Sequence, residues 1–190
     1  MAYYIHPHLI GSTSILPVPS SRPDLMSIDL FAPGGFFEFS FTRLRITNAY
    51  NLSSRRAPYR MLSPPHLFED LPFPTLVLGD FNLHHPAADP LCSFDAGEAR
   101  LSHPYFDLAS ELLFSLLNLP GLYTYFPFTS SSRPSVLDLA FANRHLVPAF
   151  ASWDTPLPST GSDHIPIVVT FNSPRFRPPP LSQLGQDRLG

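Results

Sequence analysis

Residues 76–85 read LVLGDFNLHH, an apolar run that passes directly into the tetrapeptide Gly-Asp-Phe-Asn. An unbroken run of leucine and valine is typical of a central strand that is covered on both faces. Because side chains alternate along a strand, Asp80 and Asn82 are predicted on one side of its carboxyl end, with Phe81 turned into the core. In open α/β sheets ligands bind at the carboxyl ends of strands. The stretch therefore predicts a polar site on a buried strand, although a simple turn after the strand would also use Asp and Asn.

The residue types at positions 80 and 82 suit phosphate chemistry. The carboxylate of Asp80 offers the oxygen ligands that Mg²⁺ prefers. The carboxamide of Asn82 can hold a phosphate oxygen by donating hydrogen bonds, which a second carboxylate could not do. A carboxylate and a carboxamide that emerge together therefore favour a site for a metal ion and a phosphate.

Two further motifs carry ionisable side chains beside apolar runs. GSDHIPIVV, residues 161–169, places Asp163 and His164 directly before a run of β-branched residues. SVLDLAF, residues 135–141, has Asp138 within an otherwise apolar run. Burying an unpaired carboxylate is costly, so Asp138 needs a partner, and a histidine is the natural one. Taken alone, an Asp-His pair is more often structural than catalytic.

Together the three motifs suggest a hydrolytic mechanism. Asp138 would hold the imidazole of His164 in one tautomer and stabilise its charged form. Asp80 and Asp163 would bind a metal ion or activate a water molecule. A divalent cation would neutralise the charge that develops on a pentacovalent phosphate. The order of the motifs along the chain is more specific than any one of them.

The composition restricts the class of protein. With 190 residues, 44% of them apolar, the chain suits one packed domain, and its 24 prolines favour short strands joined by irregular loops. The net charge of −3 gives no support to general nucleic-acid binding. The single cysteine, Cys92, excludes an internal disulfide, and we expect no disulfide-linked partner. No apolar run approaches the length that spans a bilayer, so we expect no membrane partner and an intracellular location, which includes the nucleus.

The pattern of apolar residues predicts an α/β layered domain. Residues 105–117 have leucines at helical spacing and are predicted as an amphipathic helix, with Pro104 near its start. Pro64 could open a shorter helix that runs to Asp70, capped by Ser63. Strands are predicted at Tyr3–Ile5, Leu25–Phe31, Arg43–Tyr50, Thr75–Leu78, Leu122–Phe126, Val136–Phe141 and Ile165–Phe171. Of these, the apolar runs at 75–78 and 165–171 are predicted as central strands.

The order GDFN, SxxD, SDH resembles the endonuclease/exonuclease/phosphatase superfamily, which is also called DNase-I-like. Within it, the phrases GDFNLHHP, RPSVLDLAFAN and RITNAYN are most similar to the endonuclease domain of fungal non-LTR retrotransposons. The resemblance implies an α/β (α+β) fold, a two-sheet, four-layer α-β-β-α sandwich. It implies a domain over residues 1–171 and a Pro-rich tail over residues 172–190. It also implies a Mg²⁺- or Mn²⁺-dependent enzyme that cleaves phosphodiester bonds in DNA.

The resemblance also assigns roles to individual positions. Asp80 matches the acid that orients or deprotonates the attacking water, and Asn82 matches the asparagine that holds the phosphate. His164 matches the imidazole that stabilises the phosphorane, and Asp138 matches the partner of that imidazole. The remaining matches are Tyr50 with a tyrosine that contacts the scissile phosphate, Asp163 with a metal-site acid, and Ser135 with a polar residue of the DNA-facing groove.

The sequence departs from the family pattern near its start. A complete domain of the family begins with a strand that carries an Asn, a helix, and a strand that ends in a metal-binding Glu, and no residue here matches either one. Glu38 follows that region and is rejected as a substitute. We therefore expect an N-terminally truncated copy, lacking the first strand-helix-strand. Three functions stay open: a retroelement DNA endonuclease, a degenerate fragment that at most binds nucleic acid or a partner, and a phosphatase or lipid phosphodiesterase for a small substrate.

Overall fold

The computed structural model describes residues 13–36, 41–51, 62–93, 95–129, 133–155 and 161–172. The described elements are eight strands, two α-helices and one 3₁₀ turn at Val147–Ala149. In chain order they are β1 (Ser14–Val18), β2 (Leu25–Phe36), β3 (Phe41–Tyr50), α1 (Pro64–Leu67), β4 (Thr75–Asp80), α2 (Ala96–Glu111), β5 (Phe114–Leu116), β6 (Asp138–Asn143), β7 (Phe150–Asp154) and β8 (Val168–Phe171).

Six of the strands form one sheet in the order β1-β2-β3-β4-β6-β5, and β7 and β8 form a second, two-stranded sheet. Strands β3 and β4 run parallel, whereas every other neighbouring pair is antiparallel. Strand β4 thus lies inside the larger sheet, between β3 and β6. Its first three residues are buried, which confirms the prediction of a central strand at the LVLGD stretch.

Alternation along β4 and β6 divides their side chains between two cores. Val77 and Phe141 lie on the face that packs against α2, where Tyr105 and Ala109 are also buried. Leu76 and Ala142 lie on the opposite face, in the cluster between the two sheets that includes residues of β7 and β8. A helix layer, the larger sheet and the smaller sheet therefore follow one another, and the predicted mixed α/β class with two packed sheets is confirmed.

The predicted helix at residues 105–117 was misplaced. Helix α2 begins nearer the amino terminus because Asp95 caps it, accepting hydrogen bonds from the main-chain nitrogens of Gly97 at 2.8 Å and Glu98 at 2.9 Å. Pro104 consequently lies inside the helix rather than near its start. The helix ends at Glu111 because Leu113 takes a left-handed φ of 57°, after which the chain enters β5.

Several strand predictions also need correction. Residues 122–126 form no strand; only Tyr125 makes isolated bridges, to Ser135 and His164. The strand expected at 136–141 begins at Asp138, so this residue opens a strand rather than interrupting one. The run at 165–171 forms strand only from Val168, in a two-stranded sheet with alternate residues exposed, and it is not a central strand. Strands β1, β5 and β7 were not predicted.

The remaining predictions concern the ends of elements and of the domain. The strand expected at 25–31 continues to Phe36, and the short helix that follows Ser63 ends at Leu67 rather than Asp70. The strand predicted at 3–5, Glu38, and residues 173–190 of the expected tail lie outside the described residues. The domain boundary at residue 171 stays a prediction. No helix in the described part of the chain is long and apolar enough to span a membrane.

Candidate active site

Three neighbouring strands of the larger sheet have a predicted site residue at the same end of the sheet. Tyr50 ends β3, Asp80 ends β4 and Asp138 begins β6. Tyr50 pairs with Asp80 in the parallel ladder of β3 and β4, and Asp80 pairs with Asp138 in the antiparallel ladder of β4 and β6. Neighbouring strands lie about 4.8 Å apart. The tyrosine and the two carboxylates therefore form a row across one end of the sheet.

The GDFN turn holds Asp80 and Asn82 together. The Asn82 main-chain nitrogen donates to Asp80 Oδ1 at 3.0 Å, and Asn82 Nδ2 donates to Asp80 Oδ2 at 2.9 Å. Phe81, between them, is completely buried, as predicted from strand alternation. Asn82 Nδ2 also donates to the Asn51 carbonyl oxygen at 2.8 Å, so both hydrogens of this carboxamide are engaged within the chain. A phosphate could accept from Asn82 only by replacing one of these two acceptors.

Gly79 brings β3 and β4 unusually close together at the site. Its φ is +139°, and a Cβ atom built there would lie 2.0 Å from the Ala49 carbonyl oxygen. No side chain fits in that space. The close approach of the two strands therefore depends on glycine at this position.

His164 joins the row from the segment before β8. Its Nδ1 lies 2.8 Å from Asp138 Oδ2, and its Nε2 lies 4.0 Å from Asp80 Oδ2. The ring of Tyr125 packs against the imidazole, with the two centroids 5.0 Å apart. Hydrogen bonding through Nδ1 leaves Nε2 on the side of Asp80, so the two carboxylates contact different nitrogens of one imidazole.

The pKa values of Asp80 and His164 are both raised, but by different causes. Burial, reinforced by the neighbouring charge of Asp138, raises the pKa of Asp80 to about 6. The hydrogen bond to Asp138 raises the pKa of His164, and the charges of Asp138, Asp80 and Asp163 add to that effect. Near neutral pH the site therefore contains a carboxylate that readily accepts a proton and an imidazole that favours its charged form.

The row opens into a cleft of about 450 Å³ between the larger sheet and the segment that precedes β8. Its polar side is formed by Tyr50, Asp80, Asp138 and His164, and apolar residues 165–167 line the other side. Tyr50 is 43% exposed and is therefore free to contact a bound molecule. The cleft brings together four of the predicted site residues, and Asn82 contacts one of them.

Two predicted residues lie apart from this group. Asp163 does not line the cleft; its main-chain carbonyl accepts from Phe126 N at 2.7 Å, and its charge acts on the pKa of His164. Ser135 is buried and lines a different cavity of about 290 Å³, together with Arg133 and Asp89. The two cavities have no lining residue in common.

Several residues that hold the site in place were not predicted from the sequence. Thr124 Oγ1 accepts from the main-chain nitrogen of Asp138 at 3.0 Å, and Asn118 Nδ2 donates to the Asp138 carbonyl oxygen at 2.9 Å. Asn51 contacts the GDFN turn. No local pattern marks these three residues. A glycine inside an apolar strand, by contrast, indicates a close backbone approach, so Gly79 could have been found.

The carboxylates at the end of the sheet suit a hard divalent cation. Burial raises the pKa of Asp80, the neighbouring charge of Asp138 adds to that effect, and a cation bound there would favour the charged carboxylates. Mg²⁺ is commonly held by one or two carboxylates together with substrate phosphates. Within the described residues no group of three or more His, Cys, Asp or Glu side chains could hold a metal ion by itself. The donor set therefore fits an ion that is shared with a phosphate-containing substrate.

A family model and several solved structures match this chain. The family described as Endonuclease-reverse transcriptase matches residues 45–168, more than half of the chain. No curated protein matches the sequence significantly.

Solved structures share the fold at low sequence identity. The endonuclease domain of TRAS1, a telomere-specific non-LTR retrotransposon, is 14% identical, with a TM-score of 0.57 over 84% of this chain and 68% of that one. The 3'-5' exonuclease NExo from Neisseria meningitidis is 15% identical, with a TM-score of 0.53 over 85% and 72%. The catalytic domain of Xenopus laevis APE2 is 16% identical, with a TM-score of 0.52 over 77% and 54%. At these identities the likeness establishes the DNase-I-like fold.

Proposed function

The chain belongs to the endonuclease-reverse transcriptase family, and from that membership we propose that it is a divalent-metal-dependent endonuclease of retroelement origin that hydrolyses phosphodiester bonds in DNA. The observation that carries the proposal is the pairing of His164 with Asp138 at 2.8 Å, beside Asp80 and at the mouth of the cleft. A carboxylate that accepts a proton and an imidazole that favours its charged form can serve as the general base and the charge-stabilising group in hydrolysis of a phosphodiester.

In the proposed reaction Asp80 orients the attacking water and accepts its proton as the water oxygen bonds to phosphorus. The ester P–O bond then breaks, and the leaving oxygen takes a proton from solvent. In the metal-free protein burial raises the pKa of Asp80 to about 6, which favours proton uptake by this carboxylate. His164, charged and fixed through Nδ1 by Asp138, stabilises the negative charge on the phosphorane with its other nitrogen. Tyr50 contacts the scissile phosphate from the exposed end of β3.

Asp80 would hold the Mg²⁺ or Mn²⁺ ion together with the substrate phosphate, and the ion would neutralise charge on that phosphate. Asp163 does not line the cleft and would add its negative charge from outside it. Asn82 orients the Asp80 carboxylate through its two hydrogen bonds, and it contacts the phosphate when one of them is exchanged. Ser135 and the cavity that it lines lie on the proposed path of the DNA.

DNA is the proposed substrate because two of the structural relatives are an endonuclease domain of a telomere-specific retrotransposon and an exonuclease. An enzyme that nicks DNA for a retroelement would act in the nucleus, which is the proposed location.

A catalytically impaired member of the family is the second candidate. It is favoured by the small number of metal ligands, since the described residues form no group of three or more. Such a protein would keep the fold and the His164–Asp138 pair but would bind nucleic acid without turnover.

Nicking of supercoiled plasmid by the purified chain tests the proposal. We expect conversion to open circles with Mg²⁺ or Mn²⁺, no conversion with EDTA, and loss of conversion in His164→Ala. Circular dichroism and gel filtration of each protein would establish that the variant is folded. Folded wild-type protein that leaves the plasmid intact with both ions would contradict the proposed activity and favour the impaired member.

A further inference from the structure

Asn51 is a completely buried polar residue that directly follows β3. It belongs neither to the predicted site residues nor to the lining of the cleft. Burying a carboxamide is favourable only when its donors and acceptors are satisfied. The positions of its partners therefore indicate what the residue does.

Asn51 makes a hydrogen bond to each of the three residues in the site turn. Its main-chain nitrogen donates to the Asp80 carbonyl oxygen at 2.8 Å, and its Nδ2 donates to the Phe81 carbonyl oxygen at 3.0 Å. Its own carbonyl oxygen accepts from Asn82 Nδ2 at 2.8 Å. One residue thus contacts the whole Asp80–Asn82 turn through both its main chain and its side chain.

The opposite side of the Asn51 side chain is fixed against the helix layer. Its Oδ1 accepts from the main-chain nitrogen of Leu62 at 2.9 Å, and its Nδ2 lies 3.4 Å from the Tyr105 hydroxyl. Tyr105 is buried on α2, and its hydroxyl donates in turn to the Leu62 carbonyl oxygen. Asn51 therefore connects the site turn to rigid, buried structure behind it.

The turn needs such support because its geometry is unfavourable without it. Asn82 has a left-handed φ of 49°, which asparagine tolerates better than most residues but which still carries a cost that the surroundings must offset. The Asn51 carbonyl takes one Nδ2 hydrogen of Asn82 and directs the other toward Asp80 Oδ2. This carbonyl is a main-chain atom, and its position depends on the hydrogen bonds of the Asn51 side chain. Loss of those side-chain bonds would displace the carbonyl and free the Asn82 carboxamide to rotate away from Asp80.

We propose that Asn51 is a positioning residue of the site, which sets the orientation of Asn82 and through it that of the Asp80 carboxylate. The predicted effect on turnover rests on the proposed function, whereas the predicted effect on the geometry of the turn does not. A general base that is displaced by about 1 Å can lose about 100-fold in rate, while substrate binding through other groups persists.

Asn143 provides a matched control at the other end of β4. It is also a buried asparagine, its Oδ1 accepts from Thr75 N at 3.1 Å, and its Nδ2 donates to the Phe73 carbonyl oxygen at 2.9 Å. Asn143→Ala therefore removes a comparable buried network without touching the site turn. A loss of activity that comes only from lower stability should appear in both variants, so comparing them isolates the effect on the site turn.

The test is the hydrolysis of bis(4-nitrophenyl) phosphate with Mn²⁺ by wild type, Asn51→Ala and Asn143→Ala. We expect kcat to fall about 100-fold in Asn51→Ala with KM changed less than about 3-fold, and both constants to be nearly unchanged in Asn143→Ala. Equal losses of kcat in the two variants would overturn the proposal. If Asn51→Ala does not fold, Tyr105→Phe, which removes one anchor of Asn51, is expected to lower kcat about 5-fold, and an unchanged kcat there would overturn it.

Crystal structures of the same proteins separate this proposal from the proposed function. In Asn51→Ala the contact between Asn82 Nδ2 and Asp80 Oδ2, 2.9 Å in the wild type, is expected to be lost. It is expected to persist in Asn143→Ala. If the wild type neither hydrolyses this ester nor nicks plasmid DNA, the proposed function fails, but the crystal structures still decide the role of Asn51. An unchanged Asn82 in Asn51→Ala would overturn that role whatever the activity.

Discussion

Asp80 and Asp138 are direct partners in the antiparallel pairing of β4 and β6, so two carboxylates stand beside each other at one end of the sheet. Like charges on neighbouring strands destabilise a sheet unless something compensates them. His164 contacts Asp138 at 2.8 Å and lies 4.0 Å from Asp80. The partly buried Asp80 nevertheless has a pKa raised to about 6. The site therefore keeps a charge arrangement that is unfavourable for folding.

Asp80→Asn is expected to stabilise the protein above pH 7. Since the pKa of Asp80 rises from 3.8 to about 6 on folding, the folded state binds the proton more tightly. The resulting stability is fully present below about pH 4 and is lost as the pH rises through about 6. The full effect corresponds to about 3 kcal/mol, and the lost acceptor for Asn82 reduces the expected gain in unfolding free energy to about 1–2 kcal/mol at pH 8.

Urea unfolding of wild type and Asp80→Asn at pH 4 and pH 8 measures this gain. No gain is expected at pH 4, where the Asp80 carboxyl is neutral in the folded state. An equal gain at both pH values would show that charge is not its cause.

Asp138→Asn is expected to lower kcat about 100- to 1000-fold and to shift the loss of activity to lower pH. The hydrogen bond to Asp138 is the main cause of the raised pKa of His164, so its imidazole should lose its proton at a lower pH in the variant. Activity that needs the charged imidazole falls as the pH rises through that pKa. Plasmid nicking between pH 5 and 9, with the imidazole titrated by NMR in parallel, measures both effects. A His164 pKa that is unchanged in Asp138→Asn would contradict the assigned partner.

Gly79→Ala is expected to destabilise the fold by about 3 kcal/mol or more, because the new Cβ would lie 2.0 Å from the Ala49 carbonyl oxygen. Gly161→Ala is the matched control, since Gly161 also has a positive φ, +90°, but no atom of the described residues lies within 4 Å of a Cβ there. Only the cost of a left-handed alanine, about 1–2 kcal/mol, is expected in the control. Thermal unfolding compares the two variants, and similar losses would show that the approach of β3 to β4 is not tight.

Leu113→Gly is expected to raise the unfolding free energy by about 1 kcal/mol. Leu113 ends α2 with a φ of 57°, a conformation that glycine adopts without strain, and its side chain is 52% exposed. Leu119, 53% exposed and without a positive φ, is the control, and Leu119→Gly is expected to be neutral or destabilising. A loss of stability in Leu113→Gly equal to that of the control would rule out strain at the end of the helix.

The core of the site could be predicted because it depends on short-range rules. Alternation along one apolar strand placed Asp80 toward the cleft and Phe81 in the core, and both lie there. A buried carboxylate needs a partner, and a histidine was therefore predicted for Asp138. His164 is the residue in contact with it. Each inference needed only the residue types and the period of a strand.

The parts that the sequence did not predict depend on contacts between distant segments. Asn51 is held by Phe81 and Leu62, which lie 30 and 11 residues away along the chain. Helix α2 was misplaced because leucines at helical spacing continue past Leu113, where the backbone takes a left-handed turn and then pairs with β6. The apolar run before Phe171 suggested a central strand, yet it pairs only with β7 among the described strands.

The row of Tyr50, Asp80 and Asp138 determines which insertions and deletions the chain can accept during evolution while the site stays intact. Because these residues are neighbours in ladder register, their spacing is set by the backbone and not by the loops between them. Loops can therefore gain or lose residues without changing the row. One inserted residue within β4 would move Asp80 to the opposite face of the sheet, among the apolar side chains under α2. Related sequences should accordingly vary in length between the strands and hardly at all within them.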